Sequence, residues 1–395
     1  MGKTTRWTRF RHKVVVALLR PAFGIYVRLK YNIKIEKFRQ EGKRPYLILL
    51  NHQTAYDQFF VSLTFRQHVY YLASEDLFSM GWISRALEYL VAPIPIRKQT
   101  TDLQAVKNCI RVAREGGSVC IAPEGNRTYH GRTVYIKPAI ASLAKKMGLP
   151  IAIFRIEGGY GVHPRWSDVI RKGKMRCYVS RVIEPEEYAD MSREALDEML
   201  IRELTVDEAN VSGSFRHKNS AEFLERVFYV CPKCGPAPFE SRGELVHCTR
   251  CGLTVRHLPT KELEGVTEKF PHRFVADWYD WQNDYIRSHA LPEGPLFEDK
   301  VSVKKVIPCK RKELLEKETT AVLYRDKLMI GQRQLPFEEL SAVTVLGKNK
   351  LNIYIGDGIL QLQGSKRFNA LKYVNLFHRY LNEKAGAPNG QFLGI

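Results

Sequence analysis

Two clusters of residues in this chain have the types and spacing to do acid–base chemistry. Asn51-His52-Gln53-Thr54-Ala55-Tyr56-Asp57 sets a histidine and an aspartate five positions apart, directly after the apolar run 46–50. Where a chain turns from strand to helix, that spacing lets the carboxylate accept from one imidazole nitrogen. The other nitrogen is then left to take a proton from a bound hydroxyl. Many loops hold both residues, so the pair gains meaning from its companions. Pro123-Glu124-Gly125-Asn126-Arg127 follows a second apolar run, 118–122, and a cationic turn lies at Pro93-Ile94-Pro95-Ile96-Arg97. Arg97 and Arg127 are either guanidinium forks for a phosphate or ordinary surface charge. Glu124 either orients a substrate or pairs with one of them. No Gly-x-Ser-x-Gly elbow occurs, which disfavours a serine hydrolase.

A third cluster has metal spacing. Cys231-Pro-Lys-Cys234 and Cys248-Thr-Arg-Cys251 each form a Cys-x-x-Cys turn, followed by Gly235 and Gly252. Four thiolates can close a tetrahedral Zn²⁺ site with no open position, so the expected metal is structural zinc. A disulfide or redox pair is the competing reading. Cys109, Cys120, Cys177 and Cys309 sit among apolar or strand-like neighbours and read as buried thiols.

The elements that must position these residues alternate over the first half. Runs at 46–50, 118–122, 151–156 and 176–183 read as strands. Residues 103–113 read as a helix capped near Thr101 and stopped by Gly116-Gly117, and residues 137–146 as another ending before Gly148. This is α/β architecture, in which ligands usually lie at the carboxyl ends of strands.

Together the blocks resemble those of the glycerolipid acyltransferases, the family that includes 1-acylglycerol-3-phosphate acyltransferases. Asn51, His52 and Asp57 stand at the Asn-His-x4-Asp block, Arg97 closes the Ile-x-Arg block, Glu124, Gly125 and Arg127 stand at the Pro-Glu-Gly-x-Arg block, and Pro150 stands in the Leu-Pro-Ile block. Ala122, Asn126 and Pro138 replace the family's usual Phe, Thr and Gly. The resemblance implies transfer of a fatty acyl group from acyl-CoA or acyl carrier protein to a lysophospholipid. In that reaction His52 would be the base and Asp57 its orienter. Asn51, Arg97, Glu124, Gly125 and Arg127 would bind the acceptor.

Composition narrows the alternatives. The 395 residues are 44% hydrophobic and 11% aromatic, a folding composition, and no apolar run approaches the ~20 residues a spanning helix needs. The net charge of +20 points to polyanions. Thirteen Lys or Arg against Glu36 and Glu41 fall within residues 1–50, around apolar blocks at 14–19 and 22–27 separated by Arg20-Pro21. That pattern reads as a helix lying in the plane of an anionic membrane surface, or else a first helix packed on the catalytic domain. Peripheral attachment on the cytoplasmic face is the expectation. Nucleic acid is not expected as a partner, because residues 231–251 carry Lys233, Arg242 and Arg250 against Glu240 and Glu244. A zinc-ribbon nucleic-acid binder and a non-catalytic lipid-binding scaffold remain the alternative functions.

Residues 184–219 are polar and read as a connection. Phe274, Trp278, Trp281 and Tyr285 form one stripe on a helix, either core or a membrane-interface belt. Residues 291–299 read as a linker. Beyond it, strands at 321–330, 341–346, 351–355 and 359–363, the last two joined at Gly356-Asp357-Gly358, precede a helix over 369–383. This order resembles a pleckstrin-homology-like domain, in which Lys304, Lys305, Lys310, Arg311 and Lys312 would favour an anionic surface. The expected organisation is a basic interface segment over 1–40, an acyltransferase-type α/β catalytic domain over 41–205, a zinc ribbon with its aromatic helix over 206–290, and a β-rich domain with one terminal helix over 300–385.

Overall fold

The computed structural model describes residues 6–74, 77–96, 102–136, 139–307, 312–356, 358–387 and 390–392. The chain divides into two compact units. Met1–Val162 and Lys172–Val211 form the first, and His163–Arg171 and Ser212–Ile395 form the second.

In the first unit, α1 (Phe10–Tyr31) leads into the edge strand β1 (Ile33–Ile35). It runs unbroken through Pro21, because Pro21 and the Ala17 whose carbonyl loses its partner both lie on the solvent side. Next come β2 (Leu47–Leu50), α2 (Asp57–Thr64), β3 (Val69–Ser74), α3 (Trp82–Val91), β4 (Ile94–Ile96), α4 (Leu103–Arg114), β5 (Ser118–Ile121), α5 (Ala139–Met147) and β6 (Ile151–Glu157). The short turn α6 (Gly159–Val162), β7 (Met175–Ile183), the turn α7 (Pro185–Tyr188) and α8 (Arg193–Leu204) complete it. The sheet order is β1-β7-β6-β2-β5-β3-β4, parallel throughout except for the β6–β7 pair.

Local chemistry sets these boundaries. Every residue of β2 and β5 is buried, the signature of central parallel strands covered on both faces. Asp102 caps α4 by accepting from the amide of Ala105 at 3.0 Å, so the cap falls one residue after the expected Thr101. Lys137 and Pro138, at the expected start of α5, lie outside the described residues.

The polar stretch 184–219 is a connection only in its second part, because α7 and α8 lie within residues 185–204. Ser192 caps α8 by accepting from Ala195 N at 3.1 Å, and Leu196, Met199, Leu200 and Leu204 join the buried core with Leu47, Val119 and Ile151. The helix shows only its charged outer face in the composition, which hides four apolar residues at helical spacing.

The second unit holds β8 (Val230–Cys231) paired with β9 (Gly235–Pro236), and an antiparallel sheet of β10 (Phe239–Arg242), β11 (Leu245–Cys248), β12 (Thr254–His257) and β13 (Leu263–Gly265). Helix α9 (Val275–Ser288) carries the aromatic stripe, and Trp278 is core. Its ring stacks on Phe228 with centroids 3.6 Å apart, and its Nε1 donates to Val230 O at 3.0 Å. Trp281 and Tyr285 are half-buried.

The β-rich part has seven antiparallel strands: β14 (Phe297–Val306), β15 (Glu313–Leu323), β16 (Lys327–Ile330), β17 (Arg333–Pro336), β18 (Leu340–Leu346), β19 (Lys350–Ile355) and β20 (Gly358–Gln363), followed by α10 (Leu371–Lys384). The stretch 321–330 is therefore a hairpin around residues 324–326 rather than one strand, and β14 begins inside the expected linker. Asp357, in the expected turn between β19 and β20, lies outside the described residues, as do Cys309, Lys310 and Arg311.

Because Leu200 of α8 lies in the core, Leu200→Ala should cost about 2–5 kcal/mol and lower the melting temperature by several degrees. A loss under about 0.5 kcal/mol in denaturant titration would place 193–204 outside the folded core.

Candidate active site

The central strand β2 delivers Asn51 and His52 to the carboxyl edge of the parallel sheet, and α2 opens at Asp57 five residues later. Asp57 is buried and accepts from four donors. These are His52 Nδ1 at 2.8 Å, Gln53 N at 2.7 Å, Thr54 N at 2.9 Å and Thr54 Oγ1 at 2.7 Å. A carboxylate in such a cradle can only accept, so Nδ1 must donate, and the neutral ring keeps its lone pair on Nε2. His52 remains about a quarter exposed. This is an imidazole held in one tautomer, with Nε2 outside that bond, at a partly exposed surface.

Glu124 follows β5 and fastens the same corner from the other side. Its carboxylate accepts from His52 N at 2.9 Å and from Val134 N at 3.2 Å. Burial pushes its carboxyl up to about 7, against the pull of those two amides, and the nearby Asp57 charge adds to the rise. Gly125 makes the turn with φ of +71°, donating its amide to Ala122 O at 2.9 Å, a conformation that favours glycine. Arg127 lies two residues further on, close enough for its charge to act on the Tyr31 phenol.

The structure places His52, Asp57, Glu124, Gly125 and Arg127 in one corner. Asn51 is engaged differently from the expected substrate contact. Its Nδ2 donates to Ile156 O and its Oδ1 accepts from Ile156 N, both at 2.8 Å, so the buried amide is a strut between the ends of β2 and β6. Arg97 lies outside the described residues. Thr54 was missed, although a hydroxyl residue three positions before a helix-opening Asp is a usable local signal.

The four thiols of the ribbon converge. The Sγ atoms of Cys231, Cys234, Cys248 and Cys251 all lie within 4.8 Å of one another, with Cys231–Cys251 and Cys234–Cys248 at 3.6 Å. Tetrahedral Zn–S bonds of ~2.3 Å put sulfurs about 3.8 Å apart, so the cluster fits zinc, whereas a disulfide needs about 2.05 Å. Gly235 and Gly252 take φ of +77° and +76°, as the two turns require.

Two further features bear on the surroundings. Phe10, Leu18, Ile25 and Leu29 form one stripe along α1 and are 62–81% exposed, and Trp82 at the start of α3 is 76% exposed. Among the described residues no helix is long and apolar enough to cross a membrane.

The strand-end His–Asp pair and its companion Glu and Arg fall within residues 30–156, which match the Acyltransferase family model. The chain is 24% identical over 179 residues to a chloroplastic 1-acyl-sn-glycerol-3-phosphate acyltransferase of Brassica napus, covering 44% of this chain and 52% of that protein. It is 25% identical over 132 residues to the 1-acyl-sn-glycerol-3-phosphate acyltransferase of Bacillus subtilis (strain 168), covering 33% and 63%. The crystal structure of the 1-acyl-sn-glycerophosphate acyltransferase PlsC of Thermotoga maritima is similar with a TM-score of 0.42 and 20% identity, over 51% of this chain and 79% of that one. Residues 30–156 are thus similar to the Acyltransferase family, and the chain spans about half to two thirds of the length of these curated relatives.

The raised Glu124 pKa has a signed consequence. The folded state holds this proton more tightly than the unfolded chain, whose value is near 4.5, so the contribution is full below that pH and is lost as pH rises to about 7. The melting temperature should therefore fall more steeply between pH 5 and 7.5 in the parent protein than in Glu124→Gln. Parallel slopes in differential scanning calorimetry would show that Glu124 titrates normally.

Proposed function

We propose that the chain is an O-acyltransferase that moves a fatty acyl group from acyl-CoA or acyl carrier protein to the free hydroxyl of 1-acylglycerol 3-phosphate or a related lysophospholipid, giving phosphatidic acid in phospholipid synthesis. The observation that carries this reading is the His52 Nδ1–Asp57 Oδ2 bond of 2.8 Å inside the four-donor cradle. His52 Nε2 takes the proton of the acceptor hydroxyl as its oxygen bonds to the thioester carbonyl carbon. The carbon–sulfur bond then breaks, and the departing thiolate recovers the proton from the imidazolium. Asp57 fixes the tautomer and stabilises the imidazolium, so no serine nucleophile and no acyl-enzyme are needed.

Arg97 and Arg127 hold the acceptor's phosphate by paired N–H donors. Glu124 keeps the His52 backbone in place, and its remaining lone pairs face the glycerol portion. Gly125 allows the turn that carries Arg127. The stripe on α1, set among Lys13, Arg20, Arg28 and Lys30, supports peripheral attachment to an anionic membrane on its cytoplasmic face, where a lysophospholipid acceptor resides. Cys231, Cys234, Cys248 and Cys251 hold structural zinc, whose chemistry is to fold the ribbon. The C-terminal β-rich part, pleckstrin-homology-like in its strand order, offers a further lipid- or protein-docking module.

Transfer from labelled acyl-CoA and acyl carrier protein to 1-acylglycerol 3-phosphate tests the reaction. His52→Ala should lose about 10²–10⁴-fold in kcat with its circular dichroism intact, and the two donors compared side by side identify the natural one. Equal activity in parent and variant would sink the base mechanism. For the metal, a strong chelator should release one zinc per chain and abolish the near-ultraviolet signal of Trp278, and added Zn²⁺ should restore it. A zinc-free protein with an unchanged signal would overturn the structural role.

A further inference from the structure

The connection between β6 and β7 leaves the first unit and returns to it. Gly159–Val162, all buried, belong to the first unit, residues 163–171 belong to the second, and the chain rejoins the first at Lys172. Nine residues of the acyltransferase sheet's own hairpin are thus built into the core of the second unit. Trp166 is fully buried there and Arg165 nearly so. Arg165 donates to Gly347 O at 2.7 Å and to Val345 O at 3.2 Å. Arg226 grips Asp168 with both terminal nitrogens at 3.0 Å and donates to Trp166 O at 2.6 Å, while Lys348 Nζ reaches Asp168 at 2.8 Å. A buried guanidinium bound this way holds the segment in one geometry.

The residues just before the strap lie against the catalytic turn. A Cβ on Gly159 would stand 2.8 Å from the Cβ of Gln53, so the two backbones meet without slack. Ile156 clamps the amide of Asn51 on both sides. His52 sits between Asn51 and Gln53, and the amide of Gln53 is one of the four donors to Asp57. One turn of chain, about 6 Å of helix, separates Gly159 from the strap.

We propose that residues 163–171 are a strap through which the second unit sets the order of the His52 turn, with Arg226 and Lys348 acting as positioning residues for a site they do not touch. The catalytic part of this inference rests on the acyltransferase reading, but the positioning part does not. Close-fitting backbones transmit displacement because neither can yield locally. Loosening the strap frees α6, and with it Gln53, the neighbour of His52 that packs on Gly159.

Hydrogen exchange read by mass spectrometry on the full, zinc-loaded chain tests this directly. In Lys348→Met, and more strongly in Arg226→Met, exchange should rise about tenfold or more in peptides covering 156–162 and 51–57 as well as in the strap. Leu328→Ala, a core truncation in β16 far along the chain from the strap, serves as the control at matched thermal loss and should leave 51–57 protected. Where acyl transfer is measurable, Lys348→Met should lower kcat several-fold with KM unchanged, as expected for a misplaced base. Extra exchange that stops at residue 163, or an equal rise at 51–57 in Leu328→Ala, overturns the strap. A parent protein without transferase activity, but with the predicted exchange pattern, would remove the proposed reaction and leave the strap standing.

Discussion

The corner of the first unit depends on the burial of one carboxylate. Taking Asp57 out of water is costly unless each oxygen finds donors, and the chain meets that demand with two backbone amides, one hydroxyl and the imidazole of His52. These donors are available only if residues 52–57 fold back tightly between β2 and α2. The start of α2 adds its own favourable field for a negative charge. Imidazole, carboxylate and helix start are therefore one constraint, and the histidine's tautomer follows from it.

The rest of the sheet can be understood as support for that turn. Asn51 ties the end of β2 to β6, and Glu124 ties the His52 amide to the loop after β5, so the turn is pinned from both neighbouring strands of β2. The two carboxylates thereby divide their labour. Asp57 collects four donors and faces the imidazole, whereas Glu124 has two backbone amides in a desolvated pocket, and its carboxyl rises to about 7. In the second unit a comparable dependence exists around the four cysteines, where β8–β9 and β11 are too short to hold the knuckles by pairing alone and α9 supplies the stacked Trp278.

Much of this was legible in the sequence because the signals were local. His52, Asp57, Glu124 and Arg127 are placed by strand ends that show as apolar runs, and the cysteine pairs announce their turns through spacing and following glycines. What could not be read was tertiary. Helix α8 hides its apolar face inside a charged composition until one knows that a core waits beside it. The hairpin at 324–326 lacks a glycine or proline, so 321–330 looks like one strand. Asn51 carries no mark that its amide will be matched by the backbone of a strand more than a hundred residues away.

Charge explains why the two ends of the chain differ in legibility. Thirteen cations in the first fifty residues set a direction of attraction, but the helix beneath them presents its apolar residues outward along one stripe and buries His12, Gly24, Val27 and Tyr31 on another. An amphipathic pattern alone cannot say which stripe faces the protein, since both are apolar. The decision comes from Tyr31 at the end of α1, whose ring packs edge to face on Phe60 and tilted against Tyr56, and from Phe23 stacked on Phe59 at 4.6 Å. Aromatic complementarity at the end of α1 nearest the His52 turn selects the buried side, and the remaining apolar stripe is left to the surroundings as a consequence of that choice.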